Sequence, residues 1–404
     1  MTLMIGIVGK PSSGKSTFLN AACLTDAEVS ELPFTTIDPN KGVGYVRTKC
    51  VCKELNVNDN PKNSYCIKGN RFIPINLLDV AGLVPDAHKG KGLGNQFLND
   101  LSRADVLLHI VDITGSLNEM GQMIGEGQHD PYQDIIFLER EIDLWFSEIL
   151  MREDWKKFTS TYKKDEKTFI NALNERLSGL KINLTQIKLA LKKSNLEKKS
   201  PNTWNQEDLL LFSTHLRKIS KPIVIIANKI DKKIGLENFK RLKETYKGKI
   251  FPCSALAEYI LRKYNENNII DYIPGSADFE IIKPDKLNSH EMETLKKIKK
   301  ILFKSFGGTG IQKVFKYIIF ELMDQISVYP VSDVNKLTDN KGNVLPDVFL
   351  VERGTLLKDF VRNKIHSELA DNFLYGIDAK TKKRLGENYI LKNNDVIKIV
   401  TTAK

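Results

Sequence analysis

The chain has 404 residues, a length that predicts two or three domains instead of a single core. A formal net charge of +11 points to a polyanionic partner, with a lysine-rich solvated surface as the alternative. No apolar run approaches the roughly 18 residues of a membrane span, and the N-terminus starts in a strand pattern instead of a signal peptide, so we expect a cytoplasmic protein without a membrane segment.

Continuous apolar runs predict the strands of a first domain. The first run covers residues 3–8, and the later ones are residues 74–80, 106–111, 222–227 and 250–253. Helical patterns or loops separate these runs, which is the order expected of a doubly wound, mostly parallel α/β sheet. A helix over residues 310–323 closes this domain, which we assign to residues 1–115 and 217–324.

Residues 116–216 interrupt the α/β alternation. Apolar side chains step by three and four positions from Tyr132 to Ile149 and again from Ile170 to Leu191, as in packed long helices. Gly179 predicts a kink or turn within the second stretch. Residues 151–200 carry 13 Lys or Arg against 6 Asp or Glu. We therefore expect an inserted, basic helical hairpin, which is either an RNA-facing arm or a solvated coiled coil.

A separate C-terminal unit is predicted over residues 325–404. Strand patterns at residues 326–331 and 347–351 precede a helix at 356–365, and two further strands follow at 373–377 and 396–400. The run from Asp339 to Gly342 marks a turn between the first two strands. This order is that of a small β-grasp domain.

The run from Gly9 to Ser16 matches the pattern G-x-x-x-x-G-K-[ST] and lies between a predicted strand and a predicted helix. Such a loop presents backbone N–H groups and a helix N-terminus to phosphate oxygens. We expect Lys15 to reach the β- and γ-phosphates and the Ser16 hydroxyl to bind Mg²⁺. The residues predicted to contact nucleotide here are Gly9, Lys10, Pro11, Ser12, Ser13, Gly14, Lys15, Ser16 and Thr17.

Asp79 ends an apolar strand, and Gly82 follows it three residues later. After a phosphate-binding loop, this spacing predicts that Asp79 holds Mg²⁺ through water and that the Gly82 N–H contacts the γ-phosphate. On its own the pattern is weak, because a glycine at this point often does no more than make a turn.

Asn228, Lys229 and Asp231 follow the strand at residues 222–227. A carboxylate at Asp231 can accept hydrogen bonds from the guanine N1–H and exocyclic amine, whereas adenine lacks this donor pair. Lys229 would pack its stem on the base, and Ser254 with Ala255 would add a backbone contact to the guanine oxygen. The alternative is that the motif merely caps a helix.

Beyond these motifs, residues 31–40 followed by Gly42, and residues 83–98, resemble switch I and switch II of Obg-related GTPases, particularly the YchF group. The resemblance covers essentially the whole chain and fits the branch with a long insertion that is found in archaea and fungi. It implies a C-terminal TGS domain, Thr36 as a further Mg²⁺ ligand, and GTP or GDP as the nucleotide. Many YchF proteins carry an altered guanine motif and prefer ATP. This chain keeps the unaltered motif, with Asn228, Lys229 and Asp231 in place. Ser12 replaces the asparagine found in potassium-activated relatives, so the resemblance does not predict potassium activation.

Catalysis is expected to be slow. Leu83 occupies the position where Ras-like enzymes place the glutamine that orients the attacking water. Because leucine cannot do this, we expect an intrinsic turnover on the order of 10⁻⁴ to 10⁻² s⁻¹. We expect Lys15, Thr36 and Gly82 to act on the γ-phosphate. His88 is the nearest substitute for the glutamine, or else an ordinary surface residue.

The sequence therefore predicts a GTP-dependent switch that binds the ribosome or rRNA through the basic helical arm and the TGS domain. Two alternatives stay open: an ATPase of the YchF type, and an RNA-binding structural protein with negligible turnover.

The five cysteines, Cys23, Cys50, Cys52, Cys66 and Cys253, do not form the pattern of a secreted disulfide framework. On a strand, Cys50 and Cys52 would share a face, with Cys66 close across a hairpin. Three thiolates are one ligand short of a structural zinc site. Metal binding, a disulfide and ordinary apolar packing all stay open.

Overall fold

The computed structural model describes residues 3–23, 41–80, 94–151, 155–160 and 166–402. Strands within these residues form a seven-stranded sheet and a five-stranded sheet, with a two-stranded ribbon between them in sequence. The strands are β1 (Met4–Val8), β2 (Lys41–Lys49), β3 (Tyr65–Ile67), β4 (Asn70–Asp79), β5 (Val106–Asp112), β6 (Ile223–Asn228), β7 (Ile250–Pro252), β8 (Ile270–Asp271), β9 (Glu280–Ile281), β10 (Gln325–Val331), β11 (Phe349–Glu352), β12 (Phe373–Asp378), β13 (Arg384–Leu385) and β14 (Asp395–Thr401).

The helices, in chain order, are α1 (Lys15–Ala22), α2 (Val51–Glu54), α3 (Gly94–Arg103), α4 (Pro131–Met151), α5 (Trp155–Ser160), α6 (Glu166–Arg176), α7 (Leu184–Lys193), α8 (Gln206–Ser220), α9 (Lys233–Thr245), α10 (Ala255–Glu266), α11 (Ser289–Ile298), α12 (Lys304–Phe306), α13 (Ile311–Lys316), α14 (Leu357–Phe360) and α15 (Ser367–Asp371). Turns of π-helix extend α11, α13 and α14. No helix within the described residues is long and apolar enough to cross a membrane.

The first sheet has the strand order β2-β4-β1-β5-β6-β7, and β3 pairs with β4. The five strands from β4 to β7 run parallel, which confirms the predicted α/β class. Every residue of β5 is buried, as a central strand covered on both faces requires. The antiparallel strands β2 and β3 were not predicted, because glycine and charged residues break up the apolar pattern of β2 and because β3 has only three residues.

Helices α4 to α8 form the insertion. The second apolar stretch divides into α6 and α7, and the break includes a 3₁₀ turn at Ser178–Leu180 near the position where Gly179 predicted it. Asn183 then starts α7 with a capping box that involves Gln186. The apolar core of the insertion is continuous with one face of the sheet, through residues such as Val8 and Leu78. The insertion is thus packed on the sheet through α4, and its other helices join the same apolar core.

The C-terminal unit is a β-grasp domain in which a helix packs on the sheet of order β11-β10-β14-β12-β13. Leu357 and Phe360 of α14 are buried against Ile326, Val328 and Ile397. At the predicted turn, the Asp339 carboxylate accepts hydrogen bonds from the backbone N–H groups of Lys341 and Asn343. This arrangement confirms the TGS fold.

The β-grasp domain is fixed to the first domain by backbone hydrogen bonds. The N–H of Asn60 donates to the Val344 carbonyl at 2.9 Å, and the N–H of Lys62 donates to the Pro346 carbonyl at 2.7 Å. A single apolar cluster extends across this contact. The segment between α2 and β3 is therefore part of the surface on which the C-terminal domain docks.

Candidate nucleotide site

The glycine-rich loop joins β1 to α1 at the C-terminal edge of the parallel strands. Gly9, Ser12 and Gly14 have φ angles of 150°, 61° and 99°, so the chain turns sharply before the helix begins at Lys15. Ser16 and Thr17 lie in the first turn of that helix. A tight loop that leads into a helix N-terminus is suited to binding phosphate.

Lys15 and Asp79 interact electrostatically beside this loop. The Lys15 ammonium donates to the carbonyls of Gly9 at 3.0 Å and Lys10 at 2.9 Å. Burial lowers the pKa of Lys15 and raises that of Asp79, while each residue's charge partly offsets the shift of the other. One carboxylate oxygen of Asp79 is buried without a hydrogen-bond partner among the described residues. Such a carboxylate oxygen next to a phosphate loop is suited to an aquo-magnesium ion.

The Lys10 side chain is turned away from the phosphate loop, so only its backbone is left to contact nucleotide. Its ammonium, on a side chain only 6% exposed, donates to Asp134 Oδ1 at 2.5 Å and to the Asn118 carbonyl at 3.1 Å. His129 Nε2 lies 2.6 Å from the same Asp134 oxygen. Lys10 therefore connects the loop to the start of α4 and the segment before it.

Asn228 connects the phosphate loop to the loop after β7. Its side-chain amide donates to the Ser13 carbonyl at 2.9 Å, and its side-chain oxygen accepts from the Ala255 N–H at 3.1 Å. Both contacts are buried. Ser254 and Ala255 were predicted to add a backbone contact to the guanine oxygen, and of these the Ala255 N–H is already donated to Asn228.

Lys229 and Asp231 flank the region expected to hold the base. Lys229 has a φ of 65°, and its ammonium donates to Asp112 Oδ2 at 2.8 Å. Burial alone would raise the pKa of Asp112, but hydrogen bonds from Lys229, Ser116 and Thr114 bring it below its usual value. Asp231 is half-buried and has no hydrogen bond to any residue in the described ranges. Its carboxylate is free to accept hydrogen bonds from a base.

Ser254 is held by a buried polar network. Its hydroxyl accepts from the Ala257 N–H at 3.3 Å and caps α10, while its own N–H donates to the Thr309 carbonyl at 2.9 Å. The carboxylate of Glu258 accepts hydrogen bonds from the hydroxyls of Thr309 and Tyr272. Burial raises the pKa of Glu258, and these hydrogen bonds oppose the shift. The glycine-rich turn that contains Thr309 thus supports the loop after β7.

Sequence reasoning missed three supporting carboxylates, Asp112, Asp134 and Glu258. Asp112 carried a usable signal, because it ends an apolar strand in the same way as Asp79 does. The other two lie within helices and offered none. Thr36, Gly82 and His88 lie outside the described residues, so their roles stay predictions.

The elements of the site lie on neighbouring parallel strands. The phosphate loop follows β1, Asp79 ends β4, and the loop from Asn228 to Asp231 follows β6. Ligands of open α/β sheets bind at this carboxyl edge. The fold and the order of these motifs define the class of P-loop GTPases.

Comparisons with known proteins identify the family. Residues 4–139 match the 50S ribosome-binding GTPase family, residues 226–333 match the G4 motif-containing domain of the Obg-like GTPase YGR210-like family, and residues 337–401 match the TGS domain. An uncharacterized GTP-binding protein of Methanocaldococcus jannaschii is 46% identical over 402 residues, which cover 99% of this chain and 100% of the relative.

Solved structures agree. A GTP-binding protein of Pyrococcus horikoshii superposes with a TM-score of 0.74 at 38% identity, covering 99% of this chain and 100% of the other. The YchF GTPase of Schizosaccharomyces pombe shares the fold, with a TM-score of 0.58 at 16% identity and coverage of 99% and 98%. This chain belongs to the Obg-like (YchF) family of P-loop GTPases.

Proposed function

We propose that the chain binds GTP with Mg²⁺, hydrolyses it slowly, and acts as a nucleotide-controlled switch on the ribosome or on RNA. The observation that carries the proposal is the convergence of the phosphate loop, Asp79 and Asp231 at one edge of the sheet. The M. jannaschii and P. horikoshii relatives are both named GTP-binding proteins.

The phosphate side of the proposal rests on Lys15, Ser16 and Asp79. Lys15 lies on two carbonyls of its own loop, from which its ammonium can transfer to phosphate oxygens. Ser16 and the unpartnered Asp79 oxygen would hold Mg²⁺, with Thr36 as the further ligand that the family resemblance implies. When bound, Mg²⁺ neutralises charge on the β- and γ-phosphates.

The base side rests on Asp231. Two hydrogen bonds to a carboxylate are worth about 3–6 kcal/mol, a factor of roughly 10² to 10⁴ in affinity for guanine over adenine. Titrating the protein with fluorescent mant-GTP and mant-ATP tests this preference directly. Equal or tighter binding of ATP would refute the guanine assignment.

A matched variant strengthens this test. Asp231→Asn replaces a carboxylate by an amide of the same shape, which can donate to the C2 carbonyl of xanthine but no longer accepts both guanine hydrogens. We expect the variant to lose GTP affinity, to gain XTP affinity, and to leave ATP affinity unchanged. Unchanged GTP affinity in Asp231→Asn would contradict the assigned role.

An ATPase is the second candidate. The Ala255 N–H is donated to Asn228, so it offers no free donor to the guanine oxygen in this conformation. The human relative, 26% identical over 411 residues, is named Obg-like ATPase 1. The same titration decides between the two nucleotides, because a preference for ATP that Asp231→Asn does not change would favour the ATPase.

Slow turnover is proposed from Leu83, which cannot orient water as glutamine does. Single-turnover hydrolysis at saturating enzyme should give a rate on the order of 10⁻⁴ to 10⁻² s⁻¹ without a partner. Adding ribosomes should raise it if the switch acts there. No hydrolysis in either condition would favour the third candidate, an RNA-binding protein without useful turnover.

The RNA part of the proposal rests on an exposed lysine surface of the insertion. Its members are Lys188, Lys192, Lys193, Lys198 and Lys218. None of these lysines forms an ion pair with a described residue. Besides burial, the charges of Lys218 and Lys193 both lower the pKa of His215, so these two lysines lie on one side of the insertion. Unpaired lysines on one surface are suited to phosphate contacts.

The test is the salt dependence of ribosome co-sedimentation. Replacing Lys192, Lys193 and Lys218 by alanine should weaken binding and reduce the slope of log affinity against log salt by about 2–3, since each lost phosphate contact contributes about 0.7–0.9. Lys297→Ala is the control, because Lys297 is exposed but paired with Glu293 at 2.9 Å. Equal slopes for the triple variant and the control would refute this surface.

A further inference from the structure

A cluster of metal-ligating side chains lies away from the nucleotide site, where the first domain meets the β-grasp domain. We call it the Cys₃Asp cluster, and its members are Cys50, Cys52, Asp59 and Cys66. One ligand atom from each residue lies within 4.8 Å of all the others. Asp59 supplies the fourth ligand that the cysteine pattern alone lacked.

The local fold brings these residues together from three segments. Cys50 and Cys52 lie at and just inside the start of α2 instead of on a strand, and Cys66 lies on β3. Asp59 comes from the segment that joins these two elements. Because α2 has four residues and β3 has three, the local secondary structure supplies little of the cohesion that holds this region together.

The distances fit one tetrahedral ion better than a disulfide. The Sγ atoms of Cys52 and Cys66 are 3.8 Å apart, whereas a disulfide bond measures about 2.0 Å. Two thiolates bound to one tetrahedral zinc ion at about 2.3 Å each lie about 3.8 Å from one another. Cys50 Sγ donates to Asp59 Oδ2 at 3.1 Å, so only a slight opening of this pair is needed. The distances between the four ligand atoms also fit ligands around a single metal ion instead of ligands around a multi-iron centre.

The surroundings of Asp59 are those of a supported metal ligand. Arg71 is fully buried and donates to Asp59 Oδ2 at 2.9 Å. Three thiolates, one carboxylate and a divalent zinc ion sum to a net charge of −2, which the guanidinium offsets in part. Hydrogen bonds from outside the coordination shell orient ligands in this way at protein metal sites.

The same arginine reaches the C-terminal domain. Arg71 donates to the Leu345 carbonyl at 2.6 Å, and its guanidinium carbon lies 5.4 Å from the ring centre of Tyr329. The adjoining Asn60 and Lys62 donate backbone hydrogen bonds to the same part of the β-grasp domain. An ion that fixes residues 50–66 would therefore fix the docking surface.

We propose that the Cys₃Asp cluster is a structural zinc site that stabilises the docking of the β-grasp domain on the nucleotide-binding domain. Zinc is the ion of choice because thiolate ligands select it over Mg²⁺ or Ca²⁺, and because four protein ligands leave no open position for catalysis.

Metal analysis of the full-length protein, prepared without a polyhistidine tag or chelator, is the first test. We expect about one zinc ion per chain by mass spectrometry, and X-ray absorption showing three sulfur ligands at about 2.3 Å and one oxygen at about 2.0 Å. Cys52→Ser combined with Cys66→Ser should lose the ion. Cys23→Ser is the control, because Cys23 lies outside the cluster, and it should keep the ion.

A cobalt titration avoids dependence on variants that fold poorly. Wild-type protein stripped of metal should bind Co²⁺ with a thiolate charge-transfer band and the intense visible bands of tetrahedral cobalt. Absence of these bands would overturn the proposal. So would a zinc content in wild-type protein no higher than in the double variant, or a Cys52–Cys66 disulfide in protein purified without oxygen.

Hydrogen exchange tests the docking role. Removing the ion should speed exchange at the Asn60 and Lys62 amides, which donate across the domain contact, while the amide of Ile7 in β1 should keep its rate. Equal exchange with and without zinc would refute the docking role. Binding of mant-GTP is expected to be unaffected, so failure of the zinc proposal is distinguishable from failure of the proposed function.

Discussion

Asn228 offers a sharp test of how the nucleotide site is built. The motif that contains Asn228 and Asp231 is associated with base recognition, but the two residues make different contacts. Asn228 joins the Ser13 carbonyl to the Ala255 N–H, whereas Asp231 makes no hydrogen bond within the described residues. We therefore expect Asn228 to stabilise the loops and Asp231 to select the base.

The expected magnitude for Asn228→Ala follows from these contacts. The substitution leaves one buried carbonyl and one buried N–H without partners, at about 1–3 kcal/mol each. The free energy of unfolding should fall by roughly 2–6 kcal/mol. Asn228→Asp keeps an acceptor for Ala255 but places a buried carboxylate oxygen against the Ser13 carbonyl, so its effect on stability should be at least as large.

The assay is a pair of titrations on each variant, with GTP and ATP. Misplaced loops weaken phosphate binding for either nucleotide, so Asn228→Ala should lower both affinities by a similar factor of roughly 10 to 10². Asp231→Ala should lower GTP affinity alone, by roughly 10² to 10⁴. If Asn228→Ala changed the ratio of GTP to ATP affinity as strongly as Asp231→Ala does, the assignment of separate roles would be wrong.

Three further predictions concern stability. Burial, followed by the charges of two nearby lysines, lowers the pKa of His109 from 6.5 to about 3. The unfolded chain therefore takes up a proton below pH 6.5 that the folded chain does not, and the contribution of His109 to stability falls with decreasing pH by about 1.4 kcal/mol per pH unit. His109→Gln should reduce that slope, measured by urea unfolding between pH 6.5 and about 4.5; equal slopes would contradict the assignment. Asp134→Asn leaves the buried Lys10 ammonium without its counter-charge and should cost about 3–5 kcal/mol in chemical unfolding, and a loss under about 1 kcal/mol would refute the buried pair. Gly310→Ala places a β-carbon 2.2 Å from a backbone oxygen, so the melting temperature of this variant should drop well below that of Gly342→Ala. Gly342 also has a positive φ, but a β-carbon there meets open space.

Features carried by local sequence were predicted well. Continuous apolar runs predicted the parallel strands, because a strand that is covered on both faces needs apolar side chains on both. The phosphate loop and its flanking elements were predicted for a similar reason, since the motif and its context occupy one short stretch. β2 was missed because it pairs only along one edge, with β4, and its residues satisfy no simple alternation.

Features that depend on distant contacts were not predictable. Lys10 and Asp134 are 124 residues apart, and Asn228 and Ser13 are 215 apart, so no periodicity relates them. Asp59 belongs to the same class, because the sequence shows an ordinary loop aspartate until the fold places it beside three thiols. A one-dimensional pattern reports which residues are buried or aligned, but pairing across the fold is set by tertiary packing.

Lys10 joins the phosphate loop to the insertion. Its carbonyl accepts from the Lys15 ammonium, while its own ammonium is paired with Asp134 at the start of α4. If the Lys15 ammonium moves from the Lys10 carbonyl to a phosphate oxygen, it releases one end of a residue whose other end is held by Asp134 in the insertion. Helix α4 in turn shares a continuous apolar core with the other helices of the insertion. Sequence reasoning had assigned Lys10 to nucleotide binding alone, because the 124 residues that separate it from Asp134 hide this contact.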